Sequence, residues 1–271
     1  MGIEKTKKIN RVYSTLLVAL VFVFALFLTA CGGEPIERQE ALDAINNALS
    51  AEVIETVGDY EIKMTYKEKT NQDGTRTVTT QDSTLRVDID TNVAYQTTKL
   101  KATLNMEGAV KGELLTKAST EYYMGKIGDV AYKLNDKEKA YQVYEGDFED
   151  YINYQTTLTV VSAPTEDELA LEDITMELTK SGDGSYDLTF VFTQIVQSSP
   201  DADEEKTVTT KQYKIRDNKI KEYTINVKEY VANELETETN MFLEYNYGNV
   251  NLNMPTTSLE GYTEADFDIS L

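Results

Sequence analysis

A single cysteine is the residue of this chain best placed to do chemistry. Cys31 is the only thiol among 271 residues, and it directly follows the apolar segment that ends at Ala30. One thiol closes no internal disulfide. The chain also lacks histidine, so it has no imidazole base to activate a thiol or hydroxyl nucleophile near neutral pH. The surroundings of Cys31 in the sequence must therefore indicate its role.

The segment before Cys31 has the pattern of a secretory signal peptide. Four basic residues between Lys5 and Arg11 precede an uninterrupted apolar run of 13 residues from Leu16 to Leu28. A membrane-spanning helix usually needs about 20 apolar residues, so this run is short for one. We expect residues 1–30 to be a signal peptide that is cleaved just before Cys31; the alternatives are a plain signal peptide followed by a buried or incidental cysteine, and an uncleaved anchor.

The end of this segment, Leu28-Thr29-Ala30-Cys31-Gly32-Gly33, resembles the lipobox of bacterial lipoproteins. The resemblance implies that a diacylglyceryl group is attached to the Cys31 thiol and that cleavage before Cys31 makes it the first mature residue. Two acyl chains anchor a protein stably, whereas one short chain does so only marginally. We therefore expect lipid anchoring at the extracytoplasmic face of the cell membrane, through a short tether of residues 31–35.

The charge of the chain bears on its partners. The formal net charge is −21, and it becomes −24 without residues 1–30, which hold four basic side chains and one acidic one. Such a body would be repelled by a phosphate backbone, which argues against nucleic-acid binding. Solubility at the cell surface explains the charge, and recruitment of cations or a basic partner is the alternative.

No motif in the sequence indicates an enzyme or a metal site. Asp88-Ile89-Asp90-Thr91-Asn92 opens like a calcium-binding EF-hand loop, but Val93 stands where glycine is required and Lys99 where a bidentate glutamate is required. Glycine-rich phosphate loops and nucleophile motifs are missing from the sequence. We expect neither catalysis nor a cofactor, although carboxylate pairs of the kind that hydrolyse glycosides remain open among so many acids.

The elements that follow the tether are one helix and then many strands. Leu42, Ile45 and Leu49 repeat at helical spacing within a predicted helix over residues 36–54. From Gly58 onward, apolar and polar residues alternate, which is typical of strands with one buried face. Turn residues separate the runs: Asn71–Gly74, Gly128-Asp129, Asn135-Asp136, Ser181–Gly184 and Asp217-Asn218.

The middle of the chain breaks this strand pattern. Between Asp147 and Leu171 the sequence predicts a short helix after Gly146 and a second helix that begins near Pro164-Thr165. The predicted fold class is therefore α+β: a large curved antiparallel sheet, or half-barrel, with an N-terminal helix and short mid-chain helices on one face. Because no linker separates the two strand-rich halves, we expect residues 36–271 to form a single domain.

This arrangement resembles the LolA/LppX/LprG-like envelope lipoproteins. The resemblance rests on the helix, the long meander, the mid-chain helices and a closing strand pair over residues 245–255. It implies a half-open sheet with helices against its concave side and, in several members, acyl chains in the cavity. Fold analogy alone does not establish function.

The leading functional hypothesis is a lipid or other hydrophobic ligand on the concave side of the sheet, in a monomer. The candidate lining residues are Ile62, Met64, Tyr66, Leu100, Leu104, Met106, Leu188, Phe190 and Phe192. The alternative is a non-catalytic interaction module that recognises a basic protein or a cell-wall polymer. A third and weaker alternative is a carbohydrate-binding module, because 18 tyrosines could form a glycan platform although tryptophan is missing.

Overall fold

The structure, a computed structural model, describes residues 33–50, 58–72, 74–106, 113–152, 161–197, 203–248, 250–265 and 267. Within these residues, the side chains of Met106 and of residues 113–115 are not described. The predicted signal peptide and Cys31 lie outside the described residues.

Alternating runs of apolar and polar residues form thirteen described strands of one sheet. The strands are β1 (Glu34–Pro35), β2 (Tyr60–Gln72), β3 (Thr75–Asp88), β4 (Val93–Met106), β5 (Glu113–Ile127), β6 (Val130–Asn135), β7 (Ala140–Val143), β8 (Asp173–Lys180), β9 (Tyr186–Val196), β10 (Glu205–Arg216), β11 (Lys219–Val231), β12 (Glu234–Tyr247) and β13 (Thr263–Glu264).

The sheet consists of two meanders joined in the middle. Its order is β1-β8-β9-β10-β11-β12-β2-β3-β4-β5-β6-β7-β13. The meanders β2–β7 and β8–β12 meet where β12 pairs with β2, and Tyr247 lies opposite Tyr60 there. All described pairings are antiparallel except that of β13 with β7. The sheet is open, because its two terminal strands, β1 and β13, do not pair with each other.

Helical segments cover one face of the sheet, which we call the inner face. Helix α1 (Arg38–Ala48) packs against β9, β10 and β11 and buries Ala41, Ala44, Ile45 and Ala48. Residues 148–152 are helical, and α2 (Glu166–Leu169) follows in the segment that leads to β8. Thr165 begins α2 with a capping box, in which its side chain accepts from the Glu168 N–H while Glu168 accepts from the Thr165 N–H.

Turn geometry explains why consecutive strands form hairpins. Asp217 and Asn218 both have positive φ, at 54° and 55°, as a two-residue type I′ hairpin requires. Ala232 and Asn233 make the same kind of turn between β11 and β12, with φ of 50° and 67°. The five predicted turns all lie between strands that pair as consecutive hairpins.

The structure confirms the predicted fold class and corrects two of its details. The N-terminal helix runs from Arg38 to Ala48, shorter than predicted; Leu49 is a non-helical cap, and residues 51–57 lie outside the described ones. The predicted closing strand pair was wrong in its second half, because the described residues from 250 to 259 pair with no strand. Asp88 instead holds this segment against the sheet by accepting from the Leu252 N–H at 2.8 Å.

The core lies between the helices and the inner face. Its largest fully buried side chains are Tyr151, Tyr213, Tyr223, Phe190, Phe192, Ile45, Met124, Leu134, Leu188, Ile215, Leu243 and Val87. Most of these come from strands of the second meander and the centre of the sheet. Phe190 and Phe192 stack with ring centroids 6.1 Å apart, and Tyr213 meets Phe190 edge to face. The core therefore fills the inner face where α1 crosses it.

Candidate functional site

The inner face presents rows of side chains that cross several strands. In one row, Leu188, Tyr213, Tyr223, Leu243 and Met64 stand opposite one another on successive strands from β9 to β2. Residues that alternate along a strand share a face, so this register places them all on the inner face. A continuous apolar surface thus extends from the second meander into the first.

On β9, this apolar surface is covered by other parts of the chain. Leu188, Phe190 and Phe192 are each no more than 2% exposed and belong to the same core cluster as Ala41 and Ile45 of α1. Ile62, on β2, also lies in this cluster and is 3% exposed. Four of the nine candidate lining residues therefore belong to the core cluster, and a fifth, Met64, packs against it.

Other candidate lining residues are less completely covered. Met64, Tyr66 and Leu104 are partly exposed on the inner face of β2 and β4. Leu100 is 9% exposed and stands outside the main core cluster. Met106 ends β4, and its side chain is not described. The structure thus divides the candidates between a filled core and a more open region of the inner face near β2 and β4.

Hydroxyl and amide groups border this more open region. Ser83 donates to Thr98 Oγ1 at 3.1 Å across β3 and β4, and Gln81 Nε2 donates to Ser83 Oγ at 3.1 Å. Thr98 is buried although its side chain is polar. These groups stand beside Met64 and Leu100 in the register. A ligand with an apolar body and a polar end would find suitable surfaces on adjacent strands.

A tyrosine cluster closes the other end of the inner face. The hydroxyls of Tyr151 and Tyr122 both donate to Gln96 Oε1, at 2.7 Å and 3.0 Å. Burial raises the pKa of Tyr151 well above its ordinary value, with the nearby Tyr122 hydroxyl adding to the effect. Burial likewise raises the pKa of Tyr60, with Tyr247 as a second cause. The phenols of Tyr151 and Tyr60 are therefore uncharged at neutral pH.

A buried lysine fixes the mid-chain segment to the sheet. Lys211 on β10 occupies an inner-face position between Phe190 and Ile225 and is 4% exposed. Its Nζ lies 2.8 Å from Glu168 Oε2 and 3.5 Å from Ser162 Oγ. Tyr213 donates to the Ser162 carbonyl oxygen at 2.6 Å. We did not predict this network from the sequence. The only signal for it was the spacing of Thr165 and Glu168, which is that of a capping box.

A small cleft lies at the edge of the first meander. Its volume is about 170 Å³, and its lining includes Tyr122, Leu134, Asn135 and Pro255. Ligand pockets usually hold about 300–1,000 Å³, so this cleft is small for a lipid. It also lies away from Met64 and Leu104, on strands β5 and β6.

Neither a metal-binding cluster nor a membrane-spanning helix is found among the described residues. Within them, no group of three or more His, Cys, Asp or Glu side chains could hold a metal ion. No helix among the described residues is both long enough and apolar enough to cross a bilayer.

Comparisons with known proteins give little further information. No family model matches the chain, and no curated protein matches it. Among solved structures, the chain is similar to the low-pH structure of OprB from Pseudomonas putida, with 9% identity, a TM-score of 0.26, and coverage of 77% of this chain and 95% of that one. A porin-like protein from Bacteroides uniformis matches with 9% identity, a TM-score of 0.22, and coverage of 71% and 96%. At these TM-scores, the two likenesses carry no argument about this chain.

Proposed function

We propose that this chain is an extracytoplasmic lipoprotein, held at a cell membrane by a diacylglyceryl group on Cys31, that binds a lipid or another apolar ligand on the inner face of its sheet. The observation that carries the ligand proposal is the uneven cover of this face. Phe190 and Phe192 are buried in the core cluster that includes α1, whereas Leu104 and, at the edge of that cluster, Met64 remain partly exposed on the same face. An apolar ligand would complete the cover.

Two features support the anchoring part of the proposal. The only thiol of the chain stands at the position that lipid attachment requires. The chain then enters the sheet soon after Cys31, because Glu34 and Pro35 already pair with Lys180 and Thr179 of β8. A lipid on Cys31 would hold this edge of the sheet near the bilayer. With a charge of −24, the body would be repelled by an anionic bilayer, so the lipid must provide the attachment.

The anchor is tested with the full-length chain in a bacterial host. We expect Cys31→Ser to abolish incorporation of a labelled fatty-acid analogue and to move the protein out of the membrane fraction or leave the precursor uncleaved. A matched control combines Cys31→Ser with Gln72→Cys, which restores one exposed thiol at the wrong place. Labelling of either variant would contradict the proposal.

The ligand is tested on protein purified from that host without added lipid. Native mass spectrometry and solvent extraction should reveal a bound amphiphile, and a fluorescent fatty acid should compete with it. Leu104→Lys, which places a charge on the inner face, should weaken binding of the fluorescent probe at least about tenfold. Thr103→Lys, which places the same charge on the opposite face of β4, should leave it unchanged. Equal effects of the two substitutions, or no bound amphiphile and no probe binding, would refute the ligand proposal.

A further inference from the structure

The outer face of the sheet, opposite the helices, separates the charges of the chain. On strands β2 to β5 its described side chains include eight basic residues and four acidic ones. The basic residues are Lys63, Lys67, Lys69, Arg76, Arg86, Lys99, Lys101 and Lys117, and the acidic ones are Glu61, Asp82, Asp88 and Glu121. On β12, the same face holds Glu234, Glu236, Glu238 and Glu244 and no basic residue. A strongly acidic chain thus carries a basic area on half of one face.

On β2, next to β12, the acidic residue Glu61 of this area already forms ion pairs. Arg86 and Lys63 both form ion pairs with Glu61. Lys69 bonds to Glu238 across the junction of the two meanders. The positive charge that remains lies on β2 to β5.

The remaining lysines form a row across four strands. In the register, Lys67 lies opposite Thr80, Thr80 opposite Lys101, and Lys101 opposite Lys117. On its other side Lys67 faces Asn240. All three lysines are exposed, and no described residue forms an ion pair with any of them. We call Lys67, Lys101 and Lys117 the lysine row; it spans about 14 Å at the usual strand spacing.

This arrangement is unfavourable for the isolated protein. Lys101 and Lys117 lie directly opposite each other on β4 and β5. Like charges in this position destabilise a pair of strands. The chain has 47 acidic residues, yet none of the described ones stands opposite a member of the row. Lys99 adds a fourth exposed charge beside the row, although it faces Asp82 on β3. An external anion would relieve this repulsion.

The shape of the charge pattern favours a linear anion over a membrane surface. A bilayer is broad, and it would meet the glutamates of β12 on the same outer face as well as the overall negative charge of the chain. Screening leaves such repulsion effective over about 8–10 Å. A thin polymer can follow the lysine row and avoid the glutamates of β12. We propose that the lysine row binds a linear phosphate-bearing polyanion of the cell envelope. This surface lies on the face opposite the inner face, although the envelope location rests on the proposed function.

The test uses soluble protein that begins at Gly33, because every described strand and helix lies after that residue. Calorimetry measures binding of poly(glycerol phosphate) at several salt concentrations. Replacing all three row lysines by glutamine should weaken binding at least about tenfold and reduce the slope of log K against log salt by about 2. The control replaces Lys206, Lys214 and Lys228, on the same face of β10 and β11, and changes the net charge equally. It should bind like the unaltered protein.

Three results would overturn this inference. The first is no binding of the polymer by the unaltered protein at low salt. The second is an equal loss of binding in the control, which would mean that binding depends on net charge and not on the position of the lysines. The third is equally strong, row-dependent binding to phosphatidylglycerol vesicles, which would assign the row to the membrane surface. Because these measurements need neither Cys31 nor an apolar ligand, their failure leaves the proposed function standing.

Discussion

The Nζ of Lys211 lies 2.8 Å from Oε2 of Glu168, while the lysine side chain is only 5% exposed and the glutamate 23%. The same carboxylate accepts the N–H of Thr165 at 2.7 Å. One glutamate therefore completes the cap of α2 and neutralises a charge buried on the inner face. Through this pair the segment before β8 is fixed to the middle of β10.

Breaking this pair from either side should have unequal effects. Glu168→Gln leaves the buried ammonium without a counter-charge and weakens the capping box, so we expect a loss of about 3 kcal/mol in the free energy of unfolding. Lys211→Met leaves a partly solvated carboxylate and should lose about 1 kcal/mol. Urea denaturation of both variants measures the difference. The exposed pair of Lys214 and Glu222 is the control, and Lys214→Met should change stability by less than about 1 kcal/mol.

Asp88 should make stability depend on pH below neutrality. Burial by itself would raise the pKa of Asp88, but the backbone N–H groups of Leu252 and Thr91 donate to its carboxylate and bring the pKa below its ordinary value. A lowered folded-state pKa means that the stabilisation is present above the unfolded pKa, near 3.9, and is lost as the pH falls through the folded value. Asp88→Asn should therefore be less stable than the unaltered protein by about 1–3 kcal/mol at pH 7, with the gap closing below pH 3.9 or so.

Thermal unfolding between pH 2 and pH 8 tests this dependence. Asp82→Asn, on the exposed outer face of β3, serves as the matched control and should show no such gap. A constant difference between Asp88→Asn and the unaltered protein across the whole range would contradict the role given to the carboxylate charge.

Two buried tyrosine hydroxyls should contribute differently to the free energy of unfolding. The Tyr151 hydroxyl donates to Gln96 at 2.7 Å, whereas the buried Tyr60 hydroxyl has no hydrogen-bond partner among the described residues. Tyr151→Phe should thus lower the free energy of unfolding by about 1–2 kcal/mol, and Tyr60→Phe should be neutral or slightly stabilising. Equal losses of the two variants in urea denaturation would contradict this prediction.

Gly33 should be essential to the pairing of β1 with β8. A Cβ on Gly33 would stand 2.5 Å from the carbonyl carbon and oxygen of Lys180, so Gly33→Ala must move the backbone. We expect amide exchange of Ile36, whose N–H bonds to the Leu178 carbonyl oxygen at 3.1 Å, to become about tenfold faster. Gly58→Ala, where a Cβ meets nothing within 4 Å, should leave that exchange unchanged.

The sequence predicted the strands and their faces because period-two alternation directly reports one-sided burial. Leu188, Phe190 and Phe192 were expected on the inner face, and they are there. The sequence did not predict that α1 would cover them, because alternation cannot distinguish a face covered by the chain's own helix from one that a ligand covers. The turn at Ala232-Asn233 was also missed, since alanine is a poor signal for a residue with positive φ.

Long-range pairing was beyond the reach of the sequence patterns. Nothing local indicates that Tyr247 lies opposite Tyr60, or that Leu252 donates to Asp88. The lysine row depends on the register of four strands that follow one another in the sequence, and of the turns between them only Asn71–Gly74 was predicted. The positions of these charges therefore became visible only in the three-dimensional structure.

The pairing of β12 with β2 also has a consequence for how the chain reaches its final state. β2, the first long strand in the sequence, pairs with β12, the last long one. The two meanders can therefore become a single sheet only after nearly the whole chain is available. Contacts so distant in sequence slow folding and leave strand edges exposed in the meantime. In the proposed lipoprotein, which would be exported with its N-terminus first, the unpaired edge of β2 would need protection until β12 has also crossed the membrane.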